Sequence, residues 1–393
     1  MSLFMLAFFV AGIKCVKNRE DCFMDISRRI FDIVASEFCI DGKVVDVIPM
    51  TSGNINRTFM VTADVDGGFK KYVFQRINTF VFKQPKYIMS NIDYVTEHIA
   101  EKIKNSGLNP ESVMHFLKKA DGINYVDDGD GFWRAYEYGP NSITVNECND
   151  LDKLRSAGRA FGNFQTMLSD FDASRLYETI PNFHNTRVRV EGFLKNVEKD
   201  ECGRVKEVKA EIDAIREFMP LGIKLNEMVD AGELPLRVTH NDTKINNVLF
   251  DVNTGEAKTV IDLDTVMPGL VAHDFGDAIR FAANKSAEDE PDLSKVGLDI
   301  DKFKAFAEGF IAEISHSLTE NEIKTLALGA FTMTYELVVR FLDDYITGDK
   351  YFKTLYPGHN LVRTRCQLAL AKDMYAKLDE MNRVVSQVSG IEF

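Results

Sequence analysis

The pattern of apolar and polar positions changes character once along the chain, near residue 140. Before that point, short apolar runs rich in β-branched residues alternate with polar turns, which is typical of β-strands. The predicted strands are Lys43–Ile48, Thr58–Thr62, Lys71–Ile77, Asn124–Val126 and Phe132–Tyr138. After that point, apolar residues recur mainly at helical spacing. The predicted helices of the whole chain are Met24–Phe38, Pro85–Ile103, Leu151–Ser169, Val205–Phe218, Phe303–Ile314 and Ile323–Ile346.

This pattern predicts an α+β fold with two lobes. Residues 24–139 are expected to form the first lobe, a small antiparallel β-sheet with one main helix, and residues 140–393 a large, mostly helical second lobe. A tight hinge is expected at Glu137–Pro140, and the cleft between the lobes is the default ligand site. Strand-like runs within the second lobe are Leu236–Thr239, Asn247–Phe250 and the return strand Lys258–Leu263.

Residues 1–23 stand apart from this organisation. Ser2–Ile13 are almost wholly apolar, yet no positive charge precedes them and no small-residue cleavage site follows, so the run does not fit a signal peptide. It is also too short to cross a bilayer. We interpret residues 1–23 as a dispensable N-terminal extension, with Met24 as an alternative start.

Charge and cysteine usage limit the functions that the chain can have. The 393 residues carry a formal net charge of −13, which disfavours nucleic acid and anionic membranes as partners. A nucleotide ligand remains compatible, because metal ions and a few cations can neutralise its phosphates. The 6 cysteines show no metal-ligand or disulfide spacing, which indicates free thiols in a reducing cytoplasm. We expect a monomer or a weak homodimer.

The strongest chemical signal is the run His240-Asn241-Asp242, followed after four residues by Asn247. The catalytic loop of protein kinases has His-x-Asp, four residues and then Asn, with Asp as catalytic base and Asn as a magnesium ligand. Lys244 stands two residues after the aspartate, where many kinases carry a lysine for the γ-phosphate. Asp262 follows at the end of an apolar run and is the candidate for a second magnesium ligand. The motif therefore predicts phosphoryl transfer from ATP with Mg²⁺.

Two further aspartates compete for the metal role. Asp264 shares a face with Asp262 if that segment is an extended strand, so it is the second choice. Asp274-Phe275-Gly276 matches the literal metal-binding tripeptide of kinases, but it follows a Pro-Gly turn and lies 32 residues after Asp242. We interpret Asp274 as a structural residue that hydrogen-bonds the catalytic loop, and His240 as a scaffold for that loop.

Several long runs around these residues resemble the N-acetylhexosamine 1-kinases, in the aminoglycoside phosphotransferase and choline kinase group with its protein-kinase-like fold. The resembling runs are Leu236–Phe250, Val260–Arg280 and Arg340–Phe352, and the similarity continues through Gly53–Asn56, Tyr72–Asn78, Phe161–Ser174 and Tyr356–Arg365. The resemblance implies transfer of the γ-phosphoryl group of ATP to the anomeric hydroxyl of N-acetylglucosamine or N-acetylgalactosamine, in carbohydrate metabolism.

The resemblance also implies residue roles. Asp242 would accept or orient the proton of the C1 hydroxyl, Lys244 would support the migrating phosphoryl group, and Asn247 and Asp262 would hold magnesium. Arg340 and Tyr351 match positions that contact the sugar in this family, and Asp242 also belongs to that substrate set.

The candidate nucleotide-binding residues match the kinase pattern less closely than the catalytic loop does. Gly53 and Asn54 lie in the candidate phosphate loop, which has a single glycine. The third strand offers Gln75 or Arg76 for the phosphates, and only one can face them because neighbouring strand residues point to opposite faces. Arg76 has the better charge, with Glu97 as its natural ion-pair partner. Candidate nucleotide contacts at the hinge are Glu137 and Tyr138.

Other interpretations remain open. Arg340 is placed to pair with Glu336 one helical turn earlier, without touching substrate. The acceptor is alternatively another alcohol, such as choline, homoserine or an aminoglycoside. A different class of function is a nucleotide-binding module without activity, against which the intact Asp242, Asn247 and Asp262 argue.

Overall fold

The computed structural model describes residues 28–50, 55–106 and 112–393. The chain divides into two compact units. Unit 1 comprises the described residues up to Pro85 together with His115–Tyr138, and unit 2 comprises the described residues of Lys86–Met114 together with Gly139–Phe393. An antiparallel sheet dominates the first unit and helices dominate the second, so the predicted α+β class is confirmed. Residues 1–23, which we interpreted as an extension, lie outside the described residues.

Unit 1 is built on a five-stranded sheet with the strand order β1-β2-β3-β5-β4. Its elements are α1 (Arg28–Glu37), β1 (Lys43–Met50), β2 (Arg57–Val65), β3 (Gly68–Ile77), β4 (Val126–Asp127) and β5 (Phe132–Glu137). Neighbouring strands pair antiparallel throughout, which confirms the predicted antiparallel sheet. Residues 51–54, which join β1 to β2 and include Gly53 and Asn54, lie outside the described residues.

Aromatic side chains hold α1 against one face of this sheet. The ring centroid of Phe31 lies 4.9 Å from that of Phe59 and 5.7 Å from that of Trp133, both in edge-on geometry. Trp133 and Phe74 are completely buried. Edge-to-face pairs of this kind add to the free energy gained by burying the rings. The alternation along β2, β3 and β5 therefore positions a core that fixes the first helix.

Unit 2 is mainly helical, as predicted. Its described helices are α2 (Pro85–Ser106), α3 (Leu151–Met167), α4 (Thr186–Lys199), α5 (Lys209–Gly222), α6 (Lys224–Asp230), α7 (Val271–Ala282), α8 (Ile300–Ile314), α9 (Glu320–Lys324), α10 (Leu326–Ile346), α11 (His359–Ala376) and α12 (Leu378–Ser389). Its strands are β6 (Ser142–Ile143), β7 (Arg237–Thr239), β8 (Val248–Asp251), β9 (Ala257–Val260) and β10 (Met267–Gly269). No helix within the described residues is long and apolar enough to cross a membrane.

The helix α2 requires a correction to the predicted domains. The predicted first lobe comprises all of residues 24–139, whereas α2 groups with unit 2. The amide of Asn91 donates hydrogen bonds to the carbonyls of Tyr177 at 2.8 Å and Val266 at 2.9 Å. Further along the helix, the Lys102 ammonium donates to the Met167 carbonyl at 2.8 Å. These bonds tie both halves of α2 to residues of unit 2.

Glycines bring α7 and α10 into backbone contact. A Cβ atom at Gly276 would lie 2.2 Å from the Gly329 carbonyl oxygen, and one at Gly329 would lie 2.0 Å from the Ala272 carbonyl oxygen. No side chain fits at such distances, so both positions require glycine. The same logic explains why Gly276 follows Asp274-Phe275: it serves helix packing. The contact fixes α7, which supports the catalytic loop, against α10, which carries Arg340.

Candidate active site

The predicted catalytic loop leaves β7 at Thr239 and ends in a 3₁₀ turn, Ile245–Asn247, that leads directly into β8. β7 pairs with β10, and β8 pairs with β9, so the loop begins and ends in regular structure. Asn241 adopts a left-handed backbone conformation with φ of 63°, which asparagine tolerates better than most residues. Its side-chain amide donates to the Thr265 carbonyl at 2.9 Å. The chain reversal before Asp242 is therefore fixed locally.

The Asp274 carboxylate anchors the start of this loop, as the sequence analysis expected. Its two oxygens accept the backbone N–H groups of His240 at 2.8 Å and Asn241 at 2.7 Å, and the Gln165 amide donates to it as well. The Thr243 hydroxyl donates to the Asp274 carbonyl. Burial raises the pKa of Asp274, and these donors offset part of that cost. Asp274 lies inside α7 and acts as a structural acceptor.

A second aspartate of α7 supports the next part of the loop. Asp277 accepts the backbone N–H of Thr243 at 3.0 Å, and Arg280 pairs with it at 2.9 Å. Arg280 is 2% exposed and also contacts Glu288 at 2.7 Å, so the buried guanidinium is fully compensated. No sequence pattern indicates the roles of Asp277 and Gln165, because their partners lie far away along the chain.

The peptide bond that joins Asn241 to Asp242 is held on both sides by histidines. Its N–H donates to Nδ1 of His240 at 3.2 Å, and its carbonyl accepts from Nε2 of His184 at 3.1 Å. His240 is completely buried, and its Nε2 donates to the Ile261 carbonyl at 2.9 Å. The predicted scaffold role of His240 is therefore confirmed. The backbone that presents Asp242 has little freedom to rotate.

Two of the predicted site residues, Lys244 and Asn247, lie against Asp242. The Lys244 ammonium lies 2.9 Å from one carboxylate oxygen of Asp242, whose side chain is 28% exposed. The Asn247 amide donates to the Asp242 carbonyl at 2.8 Å and to the other carboxylate oxygen at 3.2 Å. Burial opposes ionisation, yet Lys244 and the amide outweigh it and hold the pKa of Asp242 below its usual value. The same pairing raises the pKa of Lys244.

The β8–β9 hairpin brings the two predicted magnesium ligands to the same end. Val248 pairs with Val260, and the Ile261 N–H donates to the Asn247 carbonyl at 2.9 Å, which places Asn247 and Asp262 on adjacent chain segments. The Asn247 amide nitrogen points to Asp242, which leaves its carbonyl oxygen directed elsewhere. Among the described residues, no group of three His, Cys, Asp or Glu side chains forms a metal cluster. One amide oxygen and one carboxylate nevertheless fit Mg²⁺, which takes further ligands from phosphates and water.

The interpretation of Asp264 needs revision. The predicted return strand is Lys258–Leu263, and Asp262 and Asp264 would share a face if the chain stayed extended through both residues. In the structure β9 ends at Val260, Asp262 is left-handed with φ of 63°, and Leu263–Thr265 form a 3₁₀ turn. The alternation of an extended strand therefore does not apply here. Asp264 is buried, with 4% exposure.

Arg340, a predicted substrate residue, lies on α10 beside a buried polar cluster that also reaches the catalytic loop. Its guanidinium is 3.8 Å from Glu336, so the alternative pairing exists as a long contact. Glu336 is completely buried and accepts from Nδ1 of His184 at 3.1 Å and from Thr186 at 3.0 Å. Burial opposes its charge, but His184 and Arg340 hold the pKa of Glu336 at about 2.

Aromatic rings surround the Arg340 guanidinium. Its central carbon lies 5.6 Å from the ring centroid of Phe183, 6.0 Å from Tyr351 and 5.5 Å from Phe352. The Tyr351 side chain is well exposed, at 67%. The predicted substrate residues Arg340 and Tyr351 are therefore neighbours.

A buried carboxylate shapes the loop that carries Tyr351. Asp344 accepts the consecutive backbone N–H groups of Lys350, Tyr351 and Phe352, each at 2.8 Å. Its second oxygen also accepts the Asn360 amide at 2.9 Å. Three successive N–H groups converging on one carboxylate define the loop conformation. No motif singles out Asp344, although the adjacent acidic residues Asp343 and Asp344 near a helix end are a usable signal.

The predicted nucleotide contacts in unit 1 have partners of their own. Gln75 and Arg76 point to opposite faces of β3: the Gln75 amide bonds Thr58 and Arg134, whereas the Arg76 guanidinium donates to the Asp130 carbonyl and lies 5.9 Å from the Trp133 ring centroid. Glu137 ends β5, and the Tyr138 N–H bonds the Lys71 carbonyl at 3.1 Å. Glu97, the expected partner of Arg76, lies on α2 in unit 2. All of these nucleotide roles remain predictions.

An antiparallel-sheet unit and a helical unit that carries a His-x-Asp loop define the protein-kinase-like class of fold. The chain resembles an aminoglycoside phosphotransferase from Alicyclobacillus acidocaldarius subsp. acidocaldarius DSM 446, with a TM-score of 0.62 and 14% identity over 90% of this chain and 96% of that one. A microcompartment-associated aminopropanol kinase is similar with a TM-score of 0.58 and 16% identity, over 91% of this chain and 99% of that one. A spectinomycin phosphotransferase in complex with ADP and spectinomycin is similar with a TM-score of 0.56 and 12% identity, over 89% of this chain and 99% of that one.

A family model gives the assignment. The model of the phosphotransferase enzyme family (APH) matches residues 46–302, more than half of the chain. The protein therefore belongs to the phosphotransferase enzyme family. The matched range includes Asp242, Lys244, Asn247 and Asp262, whereas Arg340 and Tyr351 lie beyond it.

Proposed function

We propose that the protein is an ATP- and Mg²⁺-dependent kinase that phosphorylates the anomeric hydroxyl of N-acetylglucosamine or N-acetylgalactosamine. The observation that carries the proposal is the Asp242 carboxylate, which is partly exposed, held in its ionised form by Lys244 and fixed in position by Asn247. A carboxylate of this kind suits the role of base toward an acceptor hydroxyl. The ADP complex of the spectinomycin phosphotransferase supports a nucleotide donor.

Each residue then has a definite role. Asp242 accepts or orients the proton of the acceptor hydroxyl, and Lys244 offsets the negative charge of the migrating phosphoryl group. Asn247 and Asp262 would hold magnesium, which supplies charge neutralisation of the phosphates when bound. Arg76, Glu137 and Tyr138 stay in the proposal as contacts to the nucleotide, together with Gly53 and Asn54.

The surroundings of Arg340 support a neutral, hydroxyl-rich acceptor. Within the part of the chain that the structure describes, Arg340 makes no hydrogen bond, so its N–H groups are available to carbonyl or hydroxyl oxygens. Burial lowers the pKa of Arg189, and the positive charge of the nearby Arg340 lowers it further. The positive charges of Arg340 and Arg189 oppose binding of a cationic acceptor such as choline or an aminoglycoside, and the carboxylates of Glu336 and Asp343 act on Arg189 in the opposite sense. Tyr351 adds an exposed ring and hydroxyl.

The main alternative is a kinase for another alcohol. The similar structures include an aminoglycoside phosphotransferase and an aminopropanol kinase, which favour this alternative at the level of the fold. Both acceptor types carry amines, so acidic residues at the acceptor position would be required. A nucleotide-binding module without turnover is the third candidate.

An acceptor panel separates these candidates. The purified protein with Mg-ATP is assayed for ADP release with N-acetylglucosamine, N-acetylgalactosamine, choline, homoserine, aminopropanol and aminoglycosides. We expect turnover with a hexosamine and none with its 1-O-methyl glycoside, which blocks only the anomeric hydroxyl. Turnover with only the amine-containing acceptors would support a kinase for another alcohol. The absence of turnover with every acceptor would favour the nucleotide-binding module without activity. Asp242→Asn serves as the control for contaminating kinases.

A further inference from the structure

We propose that His184 is held as a doubly protonated imidazolium and acts as the positioning residue that links the catalytic loop to the acceptor-side helix α10. The proposal rests on the proposed function, because it concerns how the base Asp242 is presented to an acceptor. It assigns a role to a histidine that the sequence motif does not contain.

The charge state follows from the partners of the ring. Nδ1 of His184 lies 3.1 Å from a carboxylate oxygen of Glu336, and Nε2 lies 3.1 Å from the backbone carbonyl oxygen of Asn241. The Asn241 carbonyl oxygen only accepts hydrogen bonds, and the Glu336 carboxylate accepts the Thr186 hydroxyl at 3.0 Å and lies 3.8 Å from the Arg340 guanidinium, which favours its ionised form. A neutral imidazole has one N–H and can satisfy only one of them. Both contacts are hydrogen bonds when the ring carries both protons.

Other histidines of unit 2 provide the contrast. His240 accepts the Asp242 N–H at Nδ1 and donates from Nε2, and His359 accepts the Leu355 N–H at Nδ1 and lies 2.9 Å from Asp289 through Nε2. In each case one nitrogen faces a donor and the other an acceptor, which the neutral ring satisfies. His184 differs because both of its nitrogens face acceptors.

The charged groups around His184 support the same state. Burial disfavours the cation and Arg340 on α10 repels it, but the Glu336 carboxylate and the Asn241 carbonyl outweigh both and raise the pKa of His184. His273 on α7, whose ring centroid is 5.5 Å away, is neutral because burial and His184 lower its pKa to about 3. His184 therefore carries the charge of this pair.

The consequence for catalysis runs through one peptide bond. The carbonyl that His184 holds belongs to the same peptide unit as the Asp242 N–H, which His240 accepts at 3.2 Å. Loss of the Nε2 proton leaves that carbonyl without this donor and frees the peptide unit to rotate. The Asp242 carboxylate then loses its alignment, and small misplacements of a reacting group lower turnover by up to about a hundredfold. The contribution of His184 to turnover is therefore present below the raised pKa of His184 and lost above it.

The first test needs no acceptor and examines the charge directly. The protein is labelled with ¹⁵N-histidine, and the His184 signals are assigned by their absence in His184→Gln or their displacement in Glu336→Gln. We expect both ring nitrogens of His184 to be protonated at pH 7. One unprotonated nitrogen at that pH would overturn the proposal. Because this test is independent of substrate, a failed acceptor panel does not affect its outcome.

The second test measures the pH dependence of kcat with the acceptor that the panel identifies. We expect a basic limb in the wild type, a shift of that limb to lower pH in Glu336→Gln, and its absence in His184→Gln with about a tenfold to hundredfold lower kcat. KM for ATP should stay unchanged. The matched control is His316→Gln, at an exposed position, which should retain the wild-type profile. A basic limb that survives unmoved in both variants refutes the coupling.

Discussion

Asp344→Asn tests whether one buried carboxylate shapes the acceptor side of the site. The wild-type carboxylate accepts the N–H groups of Lys350 and Tyr351 at one oxygen and those of Phe352 and the Asn360 side chain at the other. An asparagine keeps one oxygen and replaces the other with an NH₂ group, which faces donors. We therefore expect the segment around Tyr351 to lose its defined conformation.

The size of the expected effect on acceptor binding follows from the N–H donors that the substitution leaves without an acceptor. Asn360 retains its bond of 2.8 Å to Asp349, so the main loss is the Phe352 N–H. An unsatisfied N–H costs about 1–3 kcal/mol, and each 1.4 kcal/mol is roughly tenfold in affinity. If acceptor binding requires the ordered loop, KM for the acceptor should rise about tenfold or more. KM for ATP and the stability of the rest of the protein should change little.

The assay is steady-state kinetics with acceptor and ATP varied separately, using the acceptor that the panel selects. The control is Asp379→Asn, the same chemical change at an exposed position of α12. A proportional loss of kcat at unchanged acceptor KM would refute this reasoning, because it would place Asp344 in support of the chemical step. An unchanged acceptor KM with unchanged kcat would show that the loop tolerates the lost bond.

Further predictions concern the base, its pH dependence, helix packing and the acceptor contact. Asp242→Asn should lower kcat by about 10²–10⁴-fold while nucleotide binding, measured by calorimetry, survives; near-wild-type turnover would dismiss the assigned role. Because the pKa of Asp242 is held low, the acid limb of kcat should lie below the ordinary aspartate value of about 3.9, and Lys244→Met should move it to higher pH. Gly276→Ala should destabilise the protein by about 1–3 kcal/mol in urea unfolding, since its Cβ would lie 2.2 Å from the Gly329 carbonyl oxygen; an unchanged midpoint would contradict this packing. Arg340→Leu should raise KM for the acceptor and leave KM for ATP unchanged, whereas equal effects on both would remove Arg340 from the acceptor site.

Features with a local cause were predictable from the sequence. Alternating residues define the hairpin of β2 and β3, and the spacing from His240 to Asn247 identifies the catalytic loop without any tertiary information. A structural role for Asp274 was also predicted, because it follows a Pro-Gly turn and lies 32 residues after Asp242. For the hairpin and the catalytic loop, the decisive positions lie within the motif or its immediate flanks, whereas Asp274 contacts His240 and Asn241 across 34 and 33 residues.

Features with a distant cause were not predictable. The helix α7 buries His273, Asp274, Asp277 and Arg280, so its polar residues face the interior and hide the helical pattern. The predicted helix Ile323–Ile346 is divided at Thr325 into α9 and α10.

Contacts between residues far apart in the sequence also explain the remaining differences between the predicted and the observed structure. The membership of α2 in unit 2 depends on bonds such as the one from Asn91 to Val266, 175 residues apart. The role proposed for His184 depends on Glu336, 152 residues away. No periodicity in a single sequence reports such pairs.

The backbone contact between α7 and α10 has an implication for how acceptor preference can evolve. Gly276 and Gly329 join the helix that supports Asp242 to the helix that carries Arg340, so these two parts tolerate few changes. The segment from Lys350 to Tyr356 is mostly exposed, and its first three backbone N–H groups bond a single carboxylate, that of Asp344. New side chains can be exchanged in that segment while the phosphoryl-transfer apparatus stays intact. Divergence of substrate range among relatives should therefore concentrate there.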